Sequence, residues 1–165
     1  KKKLFETPND ARLDHQPAYR IRWDDVVYQP GELKVVAYKN GRKWATDVVK
    51  TASDAKRLEL QPDRETIAAD GHDITFVKLR VVDKAGITVP IAKNLIHFSA
   101  IGTGEIIATD NGDATDLSSF QDTDRKAFNG LALAIVKAKR GERSVITLTA
   151  SSEGLTSAKT RINVK

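Results

Sequence analysis

The sequence predicts an all-β protein: an antiparallel β-sandwich preceded by a partial, smaller β-sandwich or hairpin unit. Three observations carry this. Nearly every apolar segment alternates with period two, as a strand with one buried face requires. Glycine, asparagine, aspartate and proline punctuate those segments. Between Lys56 and Lys165, seven strand candidates follow one another at intervals of about 8–20 residues, the spacing of a sandwich.

The elements follow in order. Tyr19, Ile21 and Trp23 alternate with Arg20 and Arg22, a half-buried strand. Glu32 to Tyr38 is the next, opened by Gly31. Asn40-Gly41 supplies the positive-φ pair of a tight hairpin turn, and Arg42 to Val49 returns as the partner, carrying Trp44. A polar step at Thr51-Ala52-Ser53-Asp54 ends this first unit, placing one domain at 1–54 and a second, seven-stranded one at 55–165. The step is too short for a flexible linker, so the two units are expected to be nearly in contact.

In the second unit, Leu58 and Leu60 precede Pro62, and Thr66-Ile67-Ala68 resumes after Arg64, as in an edge strand that proline interrupts. Asp70-Gly71 turns the chain into Thr75, Val77, Leu79 and Val81, one apolar face of a long strand. Leu95 to Ala100 follows, with Ile96, Phe98 and Ala100 on one side and His97 on the other. Glu105 to Thr109 is short. Gly130 to Ala138 has good helix formers in Leu131 to Lys139. Its alternation, and the Asn129-Gly130 and Arg140-Gly141 boundaries, favour a strand. Val145 to Ala150 and Leu155 to Val164 close the series. Asp110 to Asn129 is longer than an ordinary connection and is either functional or packed as its own small unit.

Composition narrows the function. With 165 residues, 40% hydrophobic and ten Gly, the chain suits one domain, or one plus part of another, and not a wholly disordered polymer. No apolar stretch approaches the ~18 residues that cross a bilayer, so no membrane insertion is expected. The absence of Cys excludes disulfides, thiolate metal sites and Cys nucleophiles. The net charge of +5 is spread along the chain, and the ten aromatics are not interleaved with Lys1-Lys2-Lys3 or with Lys137, Lys139, Arg140 and Arg143. A nucleic-acid partner is therefore not expected. The first residue is Lys, which is expected of numbering that starts inside a longer chain or after processing.

No reactive constellation emerges. A glycosidase needs two carboxyls about 5–10 Å apart, one of them kept protonated. Asp24-Asp25 point to opposite faces of a strand, while Glu105 with Asp110 or Asp113 is conceivable but lies in an acidic stretch that reads as solvated. His15, His72 and His97 form no metal-ligand spacing. There is no Gly-x-Ser-x-Gly elbow and no phosphate loop. Asp110, Asn111, Asp113 and Asp116 are the best candidate metal ligands, since oxygen-rich loops suit Ca²⁺. The competing reading is a set of Asx turns, in which the same side chains bond their own backbone. Trp23, Tyr38 and Trp44 are candidate ligand-binding residues, because aromatic faces on a sheet can platform a sugar; a sandwich core or interdomain seam would use them equally well.

Residues 56–165 carry Val81-x-Asp83-x-x-Gly86-x-x-Val89-Pro90, Ile96-x-Phe98-Ser99, Gly102-x-Gly104-Glu105-Ile106, Asn129-Gly130-x-Ala132, and Gly141 ahead of Ile146 to Ala150. This pattern resembles a bacterial immunoglobulin-like domain of the invasin type. Ala108-Thr109-Asp110-Asn111-Gly112-Asp113, then Phe120 and Arg125-Lys126-Ala127-Phe128-Asn129-Gly130, resembles more specifically the C-terminal module of glycoside hydrolase family 2 enzymes of the β-galactosidase type found in Bacteroidetes. The run from Trp23-Asp24-Asp25-Val26 to Tyr38-Lys39-Asn40-Gly41 is similar to the latter half of the small β-sandwich that precedes that module. The resemblance implies a non-catalytic accessory module without cofactor. Its partner would be an upstream catalytic domain of the same polypeptide, a retaining β-glycosidase in a periplasmic, envelope or secreted setting. Polysaccharide contact and a homodimer through residues 1–50 are further expectations. The alternatives are a carbohydrate-binding module and a surface-adhesin repeat.

Overall fold

The computed structural model describes residues 26–165. The chain divides into two compact units, Lys1–Gly31 and Glu32–Lys165. The Tyr19–Trp23 alternation lies outside the described residues.

The second unit begins with a hairpin, β1 (Glu32–Lys39) and β2 (Arg42–Lys50), paired antiparallel from Glu32↔Lys50 to Lys39↔Arg42. Asn40 and Gly41 both take positive φ, 50° and 71°, which a two-residue turn matched to strand twist demands. The pairing slips by one residue at Ala37/Tyr38, where a bulge accommodates Trp44. Both strands are exposed almost throughout.

Nine strands then form two stacked sheets: β3 (Arg57–Pro62), β4 (Thr66–Ile67), β5 (Ile74–Val82), β6 (Leu95–Gly102), β7 (Gly104–Asp110), β8 (Asp124–Lys126), β9 (Leu131–Ala138), β10 (Val145–Ser151) and β11 (Ala158–Val164). One sheet has the order β3-β5-β9-β7 and the other β4-β11-β10-β6-β8. All pairings are antiparallel except β4 with β11. The sandwich expected from the sequence is therefore present, with two corrections. Leu58 to Ala68 is not one interrupted strand: Pro62 ends β3 at the edge of one sheet, and the chain crosses to join the edge of the other as β4. Within the irregular stretch, Asp124–Lys126 adds a short strand on the edge of β6. These two additions turn seven strands into nine.

The core lies between the sheets. Thr75, Val77, Leu79 and Val81 alternate inward along β5 and are fully buried; Ile96 and Phe98, Ile146 and Leu148, and Ile162 and Val164 face them from the other sheet. Leu131 to Ala138 is a strand because β5 pairs with it over Leu131–Lys137 and β7 over Leu133–Ala138, so most of its backbone groups have partners across the sheet. Gly130, at φ +75°, approaches the Val89 carbonyl so closely that an added Cβ would lie 2.3 Å from its oxygen.

Asp83 fixes the entry into the sandwich. Its buried carboxylate accepts Ser53 N–H at 2.9 Å and Ser53 Oγ–H at 3.1 Å, and also the amides of Ala85 and Ile87. Those bonds, Ser53 N–H first and Ile87 N–H next, lower its pKa from 3.8 to about 2. The segment after β2 is thus tied to the turn after β5.

Candidate functional site

The long connection between β7 and β9 is organised around one buried cation. β7 ends at Asp110, whose Oδ1 accepts the amides of Asn111 and Gly112 at 2.7 and 3.1 Å. Asn111 Oδ1 accepts the Asp113 amide, Asp113 Oδ1 accepts Thr115 N–H and Oγ1–H, and Asp116 Oδ1 accepts the Ser118 amide. Each acidic or amide side chain bonds backbone about two residues on, the signature of successive Asx turns.

Arg125, on β8, is 2% exposed. Its Nε donates to Thr109 Oγ1 at 3.2 Å, Nη1 to Asp116 Oδ2 at 3.3 Å and to the Ser118 carbonyl at 3.4 Å, and Nη2 to the Ser119 carbonyl at 2.5 Å. The guanidinium also lies 5.9 Å from the Phe120 ring centroid, within cation–π range. Asp116 Oδ2 takes a further bond from Asn111 Nδ2 at 2.8 Å. Hydrogen bonds from Ser118, side chain first and then amide, together with Arg125 and Asn111, hold the Asp116 carboxyl well below the usual range. Thr109 Oγ1–H, itself buried, donates to the Asp122 carbonyl at 2.6 Å, and the Thr109 amide to the Phe120 carbonyl at 2.7 Å. The loop is therefore pinned at residues 116, 118, 119, 120 and 122 to β7 and β8, an edge strand of each sheet. At its tip Leu117 is 96% exposed.

Asp110, Asn111, Asp113 and Asp116 each direct one oxygen at the backbone of their own loop, and the charge that faces Asp116 Oδ2 is a guanidinium. Among the described residues no group of three His, Cys, Asp or Glu is placed to hold a metal. Arg125 organises this loop, a role the sequence reading did not give it. The signal was present, since an acidic run from Glu105 to Asp124 without one basic residue ends at Arg125-Lys126.

The aromatic candidates are only partly described. Trp23 lies outside the described residues. Tyr38 and Trp44 remain exposed on the hairpin, and the Lys39 ammonium lies 4.6 Å from the Trp44 ring centroid. His97 is outward-facing, with Nδ1 2.9 Å from Asp124.

A general acid must keep its proton near neutral pH, which requires a raised carboxyl pKa. Among the described residues, each carboxyl displaced from its ordinary value is displaced downward: Glu59, Asp63, Asp70, Asp73, Asp83 and Asp116. Glu105 is paired with Lys137 at 2.9 Å. The groove beside the loop, lined by Lys78, Asp110, Asn111, Gly112, Leu131 and Leu133 among others, encloses about 210 Å³. Small-molecule pockets usually need ~300 Å³ or more.

Comparison with known proteins agrees with this picture. The family model described as glycoside hydrolase family 2 C-terminal domain 5 matches residues 58–161. A second model, for a domain of unknown function (DUF4982), matches residues 2–45. The chain is 37% identical over 140 residues to beta-galactosidase BoGH2A of Bacteroides ovatus, covering 85% of this chain and 16% of that protein. A glycosyl hydrolase family 2 structure from Bacteroides cellulosilyticus superposes with a TM-score of 0.82 at 31% identity, over 85% of this chain and 18% of that one. A beta-glycosidase from Bacteroides vulgatus gives a TM-score of 0.80 at 27% identity, over 84% and 18%. The chain thus spans about a sixth of the length of the curated relative.

Proposed function

The chain belongs to the family of glycoside hydrolase family 2 C-terminal domain 5, and from that premise we propose that its parent enzyme cleaves β-galactosides while this module supports the catalytic body. The module itself is a non-catalytic accessory part of a larger polypeptide. The observation that carries this is the match over residues 58–161, which falls on the sandwich. The 37% identity to a beta-galactosidase supports the choice of substrate.

Residues 1–54 are read as the C-terminal part of a separate small β-sandwich, and 55–165 as an Ig-like domain. One finding supports this division: the match over 2–45 stops before the match at 58 begins. The Arg125-pinned loop, with Leu117 at its tip, is the surface that meets the catalytic body, because a rigid loop carries contacts at low entropic cost.

Hydrolysis of an aryl β-galactoside tests each level. The isolated chain is expected to give no turnover, and turnover by it would overturn the accessory reading. The parent enzyme is expected to cleave the β-galactoside; failure on every β-galactoside overturns the substrate. Deleting Thr115 to Thr123 in the parent is expected to lower kcat/KM or alter assembly. Unchanged kinetics and unchanged mass would refute the role of the loop.

A further inference from the structure

The outer face of a sandwich sheet is ordinarily polar. The β3-β5-β9-β7 sheet departs from this at its centre. Along β9 the small residues Ala132 and Ala134 face the core, while the larger Leu131, Leu133 and Ile135 face outward. A strand apolar on both sides is the pattern of one covered on both sides.

The register shows what the flanking strands add. Leu133 lies between Lys78 of β5 and Asp110 of β7, so one row across the sheet reads cation, apolar, anion. The next row has Ile135 between Phe76, 41% exposed, and Ala108, so it reads large, large, small. Among the described residues Lys78 has no ion-pair partner; both bonds to Asp110 fall on Oδ1, and Lys78 and Asp110 line the same groove.

We propose that this face is a self-complementary interface through which two copies of the chain associate about a two-fold axis parallel to β9. Such an axis exchanges the β5 and β7 sides and keeps each row at its height. It therefore sets Lys78 of each copy over Asp110 of the other, Phe76 over Ala108, and Leu133 over Leu133. Charge and bulk both match when the occupant is another copy of the same face, which selects a second copy as the partner. Adjacent strands are ~4.8 Å apart and packed sheets ~10 Å apart, distances that a lysine side chain can bridge.

Sedimentation of the chain from roughly 10 µM to roughly 1 mM tests this. A concentration-dependent dimer is expected. Lys78→Glu and Asp110→Lys should each weaken it by about tenfold or more, by facing like charges. Mixing the two variants should restore it, because in the mixed pair both 78–110 contacts again join opposite charges. Since Asp110 also holds its own loop, Leu133→Lys is the second probe: it points outward, should leave the melting temperature unchanged at dilutions where the wild type is monomeric, and should give monomers at every concentration. A wild-type chain monomeric throughout that range overturns the proposal, and so does a dimer that survives Leu133→Lys or Lys78→Glu. Failure of two folded charge variants to recombine overturns it as well.

Discussion

Replacing Arg125 with methionine would remove the one cation buried under the β7–β9 loop while keeping most of its apolar stem. Four acceptors lose a donor: Thr109 Oγ1, Asp116 Oδ2, and the carbonyls of Ser118 and Ser119. Breaking a buried pair by deleting one partner costs about 3–5 kcal/mol. Asp116 keeps 16% of its side chain in solvent and retains bonds from Ser118 and Asn111, so the lower end applies, about 3 kcal/mol. At about 2–4 °C per kcal/mol for a chain of this size, the melting temperature should fall by about 9 °C. Hydrogen exchange should report the cause: the amides of Thr109 and Asp116, both engaged within the loop, should lose protection before the core strands do. Arg125→Lys should recover less than half, because an ammonium cannot supply the forked donors. In a cycle with Asp116→Asn the two losses should fall short of additive by about 1–3 kcal/mol. A melting shift under about 2 °C with loop protection intact would refute the claim that Arg125 organises this loop.

Three further outcomes are expected. Asp83 has a folded pKa of about 2 against 3.8 for the free side chain, so its contribution is present above pH ~4 and lost as pH falls from there through the folded value. Thermal melts from pH 7 to pH 2 should show that decline, and Asp83→Asn should flatten it; an identical pH profile in the variant would contradict the assignment. Gly130→Ala should cost about 2–4 kcal/mol by urea midpoint, since both the positive φ and the Val89 carbonyl oppose a Cβ. Gly112→Ala, with the same φ but open space around it, should cost only about 1 kcal/mol; equal losses would remove the steric argument. Leu79→Ala, at a fully buried position of β5, should lower stability by about 2–5 kcal/mol in the same assay.

What was legible in the sequence was local. The Asn40-Gly41 turn, the inward set Thr75, Val77, Leu79 and Val81, and the outward His97 all follow from two-residue alternation and from backbone φ, which depend on near neighbours only. The Asx-turn reading of Asp110 to Asp116 was available for the same reason, because those bonds close within about two residues. The aromatic candidates stay separate from that loop: Tyr38 and Trp44 sit on the hairpin.

Alternation and turn residues alone determined an all-β chain and its strand faces. Only the tertiary structure decided that Pro62 hands the chain from one sheet to the other, that Leu131 to Ala138 extends between two neighbours, and that Arg125 reaches Thr109 sixteen residues away. Those outcomes are set by which distant segments pair and exclude water, and a side chain's eventual partners across the fold leave no periodic mark on its own stretch of chain.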